Sequence, residues 1–227
     1  MAKTTFIMIN ELIEKYSKVD YENLKVVFTH SSFINENQND NNISSNERLE
    51  YLGDSVISYI VSIYLYSEYP TLPEGDLSKI RSEIVNQNSL AEVARELEFG
   101  KYLILGKGEE KNNGRDKNSN LCNLFEAIIG YFSIKIGLEE TSKLFINIFK
   151  DKINFLISEK AYFDPKSLLQ EKLQDQNIDL PIYKSIKNKN GQFKVSLYIK
   201  NTLYAEAVGK RKIDAEKEAA KIALEKL

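Results

Sequence analysis

Glu50 and Asp54 stand four residues apart inside NERLEYLGDSV (46–56), a run that also carries Leu49, Leu52 and Val56. On a helix, residues i and i+4 share a face, so the two carboxylates would stack, with Glu47 one turn earlier on the same side. Glu126 lies in a second apolar run, LFEAIIG at 124–130, and Glu74 opens a third segment directly after Pro73. Burying a lone carboxylate is costly, and clustering several raises the cost, so a positive partner should offset it. Oxygen ligands on rigid helices are what a hard divalent cation takes. With such a cation, the cluster could activate water and steady a phosphodiester during its cleavage. The competing reading is a solvated acidic face with Arg48 as a local partner.

The elements that must position these residues follow from periodicity. Thr5–Ser17 reads as a first helix and Tyr21–Phe28 as another turn or two, followed by THSSF at 29–33. The asparagine-rich stretch 35–46 is expected to be a loop. From Glu47 the apolar residues Leu49, Leu52, Val56, Ile60 and Ile63 recur at spacings of three and four, and Pro70 and Pro73 stop the helix. Helices are expected over Glu74–Val85, Leu90–Leu97, Leu121–Ile136 and Glu139–Ile157, with a polar loop over 106–120. No strand signal precedes residue 160.

Beyond a junction at 158–165 the pattern changes. Pro165–Gln174 is helical, with proline in its first turn. Tyr183–Ile186, Phe193–Ile199 and Tyr204–Val208 read as short strands; Phe193, Val195, Leu197 and Ile199 alternate as a half-buried strand requires. Asn188–Gly191 is a tight turn and Asp214–Leu224 an alanine-rich helix. The fold class is therefore an all-α domain over 1–158 followed by an α-β-β-β-α domain over 159–227.

The chain has 227 residues, 42% of them hydrophobic, which is enough for a real core. It contains no apolar run long enough to span a membrane, and its start lacks a basic leader and a cleavage pattern, so neither a membrane partner nor a signal peptide is expected. One cysteine, Cys122, excludes an internal disulfide framework and fits a reducing, cytoplasmic setting. Residues 160–227 hold 14 Lys and Arg against 9 Asp and Glu, whereas residues 1–159 hold 17 against 24. An acidic part thus precedes a basic one, and the basic part is the candidate for a polyanionic partner. His30, the lone histidine, reads as a helix cap or packed residue, and Cys122 as core.

NERLEYLGDSV resembles the signature of the ribonuclease III family. VFTHSSF at 27–33, EGDLSKIRSEIVNQNSLAEVARELEFG at 74–100 and LFEAIIG at 124–130 are similar to family segments in the same order, so the resemblance covers nearly the whole chain. It implies a homodimer that cuts double-stranded RNA with Mg²⁺, or Mn²⁺ as a substitute, leaving 5′-phosphates and two-nucleotide 3′-overhangs. By the same resemblance Glu50, Asp54 and Glu126 are metal ligands and the catalytic set, and Glu74 is an outer ligand or a group that orients a bound water. Glu47 and the ring of Tyr51 then belong to the dimer interface, where the family seats an aromatic residue in a partner's pocket. Duplex stems such as ribosomal RNA precursors are the implied substrates.

One position departs from the family. An aspartate is expected three residues before Glu126, and this chain has Asn123 with the spacing intact. Asparagine keeps the shape and offers one neutral carbonyl oxygen, but it removes a negative charge and cannot act as a base. Weaker metal binding and reduced cleavage are expected, with the fold preserved. Two origins fit: a change introduced to trap an enzyme before cleavage, or a natural member that cuts weakly or only binds.

DPKSLLQEKLQ at 164–174 and AVGKRKIDAEKEAAKIAL at 207–224 resemble the two ends of a double-stranded RNA-binding domain. Duplex RNA is read mostly by shape, through phosphates and 2′-hydroxyls. Lys210, Arg211 and Lys212, ahead of the last helix, are the expected phosphate clamp, and Gln170 and Gln174 the minor-groove contacts. Ile213 interrupts the lysine run, and the turn at 187–191 lacks the usual Gly-Pro-x-His element, leaving Lys187 and Lys189 to meet phosphates there. The alternative to an enzyme is a non-catalytic protein that sequesters duplex RNA, for which Asn123 is the main argument.

Overall fold

The computed structural model describes residues 11, 13–16, 18–37, 44–188 and 190–227. The chain divides into two compact units, Met1–Glu159 and Lys160–Leu227. Residues 11, 13–16 and 18–19 are helical; the rest of the expected Thr5–Ser17 helix, and residues 38–43 of the asparagine-rich stretch, lie outside the described residues.

The first unit is all-helical. Its helices are α1 (Tyr21–Phe28), α2 (Ser31–Glu36), α3 (Glu47–Glu68), α4 (Glu74–Val85), α5 (Gln87–Glu96), α6 (Lys107–Lys111), α7 (Asn118–Lys135) and α8 (Leu138–Ser158). Helix α7 is the central rod: from Asn120 to Phe132 all but Asn123 are buried. A helix that is apolar on every side must be surrounded by others. Phe125 stands at its centre, with ring centroids 6.3 Å from Phe99, 6.2 Å from Phe145 and 6.1 Å from Phe149.

Helix α3 crosses α7 at very short range. A β-carbon on Gly53 would fall 1.8 Å from the Glu126 carbonyl oxygen, and one on Gly130 would fall 2.3 Å from that of Leu49. Only hydrogen fits at either place. The buried stripe of α3 is Gly53, Ile57, Ile60, Val61 and Leu65. The stripe expected from Leu49, Leu52, Val56, Ile60 and Ile63 is thus rotated: Ile63 is exposed. Gly53 contributes nothing to a hydropathy pattern, yet it sets which face of α3 meets the core.

Two further boundaries differ from the sequence reading. Ser31–Glu36 forms a helix, with His30 as its cap: the Ser32 amide donates to His30 Nδ1 at 3.1 Å. The expected loop 106–120 contains α6, a 3-10 turn over Gly114–Asp116 and the start of α7. Contacts remote in sequence hold it in shape. The amides of Lys107 and Gly108 donate to the Glu36 carboxylate at 2.7 and 3.0 Å, and Asn120 donates to Glu109 at 2.8 Å.

The second unit has the order α9 (Pro165–Asp175), β1 (Ile182–Lys187), β2 (Phe193–Ile199), β3 (Thr202–Gly209), α10 (Lys212–Lys226). The strands form an antiparallel sheet in the order β1-β2-β3. Asp164 caps α9 by accepting from the Lys166 amide at 2.9 Å, with Pro165 following. Strands β2 and β3 join through Lys200 and Asn201, both at positive φ (47° and 62°), which matches the right-handed twist of a tight hairpin. Val195, Leu197 and Ile199 face a core shared with Leu169 and Leu173 of α9 and Ala215, Ala219, Ala220 and Ala223 of α10. The alanines let α10 lie close on the sheet.

Candidate metal centre and nucleic-acid interface

The close crossing of α3 and α7 sets the acidic site. Gly53 lies between Glu50 and Asp54, and Gly130 stands one turn beyond Glu126, so bringing the two backbones together puts Glu50 and Asp54 within electrostatic reach of Glu126. Glu126 is buried and Glu50 half-buried; Asp54 is exposed one turn further along α3.

Their electrostatics show the crowding. Burial first, and then the charge of Asp54, push the Glu126 carboxyl up to about 7. Burial, followed by Glu47 and Asp54, also raises Glu50. Cys122 Sγ donates to Glu126 Oε1 at 3.6 Å, and burial with the same carboxylates holds its thiol well above the usual range. A buried thiol in this surrounding fits a core residue. Among the described residues, the groups that shift Glu50 and Glu126 are burial and neighbouring carboxylates, with no cation acting on either.

This donor set has the chemistry of a hard-cation site: carboxylate oxygens at the crossing of two packed helices. Among the described residues, however, no three His, Cys, Asp or Glu side chains are drawn together closely enough to hold a metal ion. Asn123, half-buried one turn before Glu126, supplies a carboxamide where a further charge would add to the pull on a cation.

Glu74 is exposed at the first turn of α4, accepts from Ser78 Oγ at 2.8 Å and lines a groove with Tyr59, Tyr66 and Arg81. Glu47, at the first residue of α3, accepts from Ser45 Oγ at 2.9 Å. The Tyr51 ring is 79% exposed. Glu47 and Tyr51 border a groove of about 820 Å³ whose walls include Val26, Leu49, Leu52, Tyr131 and Ile134. Beneath it, Asp20 accepts from Tyr131 at 2.7 Å and pairs with Lys135 at 2.6 Å, tying the approach to α1 to the end of α7.

In the second unit, Gln170 and Gln174 are exposed on α9, each next to a buried leucine. Lys210, Arg211 and Lys212 are exposed at the start of α10. Lys187, at the end of β1, lies over the Phe193 ring at 5.6 Å. Lys189 lies outside the described residues. The turn between β1 and β2 is held by Asn188, whose side chain accepts from the amides of Asn190 and Gln192.

Residues 20–152 match the family model described as Ribonuclease-III-like. The chain belongs to the ribonuclease III family. Residues 165–227 match the double-stranded RNA binding motif, so this family member carries both parts in one chain. Ribonuclease 3 of Enterococcus faecalis is 42% identical over 232 residues, spanning 97% of each chain. That of Natranaerobius thermophilus is 38% identical over 224 residues, 96% of each. Among solved structures, a nuclease domain of ribonuclease III from Campylobacter jejuni, described for its flexibility in a region involved in dimer formation, is 35% identical. It superposes with a TM-score of 0.54 over 61% of this chain and 96% of its own. Among the described residues no helix is long and apolar enough to cross a membrane.

The sequence pointed to Glu50, Asp54 and Glu126 but not to Gly53 and Gly130, which make the crossing possible. The glycine in NERLEYLGDSV was the available signal: a helix-interior glycine between two carboxylates costs stability unless a backbone needs the space.

Proposed function

We propose that the chain is an endonuclease for double-stranded RNA, in which the first unit cuts and the second holds the duplex. The observation that carries this reading is the pair Glu50 and Glu126. Both are driven towards protonation by burial and by neighbouring carboxylates, and among the described residues no cation acts on either. A site that keeps such a potential at a helix crossing is built to take an external divalent cation, Mg²⁺ or Mn²⁺. Glu50, Asp54 and Glu126 would hold it, with the Asn123 carbonyl as a fourth, neutral donor. When bound, the cation would lower the pKa of a water and neutralise charge on the scissile phosphate. Glu74 is the candidate outer ligand or the group that orients a bound water.

The same reading takes the protein as a cytoplasmic homodimer leaving 5′-phosphates and two-nucleotide 3′-overhangs. An exposed aromatic ring beside an apolar groove on the same helix suits a two-fold interface, each copy's Tyr51 entering the groove of the other. In the second unit, Gln170, Gln174, Lys187, Lys189, Lys210, Arg211 and Lys212 would meet the duplex through phosphates and 2′-hydroxyls, with little sequence preference.

Asn123 supports a second reading, a duplex-RNA binder that does not cut. The test is cleavage of a long RNA duplex with Mg²⁺ by this chain and by Asn123→Asp in parallel. Cleavage by the Asp form alone would mark a nuclease disarmed at one ligand. Cleavage by both would make Asn123 a competent ligand. Binding without cleavage by either would favour the sequestering protein.

A further inference from the structure

The basic run that opens α10 is already engaged by the chain's own carboxylates. Arg211 immediately precedes the helix. Its Nε–H donates to Asp214 Oδ2 at 2.9 Å and its Nη2–H to Oδ1 at 2.7 Å. This parallel two-point grip is the one a guanidinium offers to a phosphate. The pair is open to solvent, with the side chain of Arg211 76% and that of Asp214 41% exposed. Lys212 lies 3.7 Å from Glu216, which is buried and held by Lys166 at 2.6 Å. Of the three duplex-facing cations at the start of α10, Arg211 is therefore gripped at two points and Lys212 lies within reach of a carboxylate.

We propose that Asp214 is an internal phosphate mimic: it occupies the Arg211 fork in the free protein, is displaced by the duplex backbone, and thereby lowers the affinity of this unit for double-stranded RNA. The inference rests on the reading of residues 160–227 as the duplex-binding unit. Exposed ion pairs contribute little, so an RNA phosphate backed by the field of the whole duplex can take the guanidinium. The displaced carboxylate is not stranded. Asp214 is the third residue of α10, where the unpaired amides of the first turn favour a negative charge. Glu216 differs, because Lys166 holds it whether or not Lys212 leaves.

The test is duplex-RNA binding by the full chain, without divalent cation so that nothing is cut, over a series of KCl concentrations. Asp214→Asn should bind roughly three- to tenfold tighter at low salt and show a steeper salt dependence. Asp179→Asn makes the same charge change at an exposed residue outside the pair and should shift binding less than about twofold. The gain should vanish when Arg211→Ala is already present, and Asp214→Ser should repeat it. Equal tightening by Asp179→Asn, or a gain that survives Arg211→Ala, would reduce the effect to net charge and overturn the proposal. Unchanged or weaker binding by Asp214→Asn would overturn it too, making Asp214 a residue that orients Arg211. Failure of the underlying reading would show separately: Lys210→Ala combined with Lys212→Ala would then leave duplex binding intact.

Discussion

Gly53 lies so close to Glu126 that a methyl group on it would fall 1.8 Å from the Glu126 carbonyl oxygen. The obstacle is helix backbone, which cannot swing aside as a side chain can. Gly53→Ala must therefore push α3 and α7 apart, at a cost of about 3 kcal/mol or more, since overpacking of this kind exceeds the usual range. Separating the helices also separates Glu50 and Asp54 from Glu126. Thermal denaturation should show a large fall in Tm. If the variant folds, any nuclease activity should fall with it. A Tm close to that of the parent would mean that the two helices do not cross at this distance.

The Glu126 carboxyl, raised to about 7, makes the metal-free protein sensitive to pH in a definite direction. A carboxyl with a higher pKa when folded binds its proton more tightly in the native state. Its favourable contribution is full below the unfolded value near 4.5 and is lost as pH rises through about 7. The shift corresponds to roughly 3 kcal/mol at most. Glu50, raised for the same reasons, acts in the same direction. In chelator, Glu126→Gln should thus be more stable than the parent at pH 8 and nearly equal to it at pH 5. Equal denaturant midpoints at both values would show that Glu126 is not desolvated as described.

Asn123→Asp should separate stability from metal response. The new carboxylate would sit one turn before Glu126, adding like charge beside carboxylates that already raise one another. Without metal the variant should be less stable at pH 8, by about 0.5–2 kcal/mol. With millimolar Mg²⁺ or Mn²⁺ its Tm should rise further than that of the parent, because a ligand stabilises in proportion to its affinity for the native state. Chelation should reverse the gain. A metal-induced rise as large in the parent as in the variant would show that the carboxamide is no handicap.

The parts of this structure that were legible in the sequence are those set by local periodicity. Val195, Leu197 and Ile199 alternate, and they face the core of the second unit. Residues 121–135 show their helical character through an apolar stretch too long for a strand, whereas the first residues of α7, 118–120, read as loop. What was not legible depends on contacts remote in sequence. The polar stretch GKGEEKNNGRDKNSN looks like an open loop, but Glu36 caps α6 from 71 residues away. Helix α3 was read with its buried face rotated, because its core-facing stripe begins at a glycine. The charge of Asp54 on Glu126 joins two residues 72 apart in sequence, and the grip of Asp214 on Arg211 was not legible, since counting charges does not show which of them are paired.

If the chain pairs through the proposed groove, Tyr51 should carry much of the contact. Its ring is 79% exposed on a rigid helix, beside a groove of about 820 Å³ lined by Val26, Leu49, Leu52 and Ile134. An aromatic ring held in water at the rim of an apolar groove is poorly placed in a monomer and well placed at a two-fold contact. Burying such a ring stabilises by about 1.5–3 kcal/mol, and a symmetric dimer buries it twice. Tyr51→Ser should therefore weaken self-association by a factor of roughly 100 or more, while leaving the fold of the monomer intact. Sedimentation velocity across a dilution series would report the shift, and circular dichroism would confirm that the helices persist. A variant that stays dimeric at the same dilution as the parent would move the interface away from Tyr51 and the groove beside it.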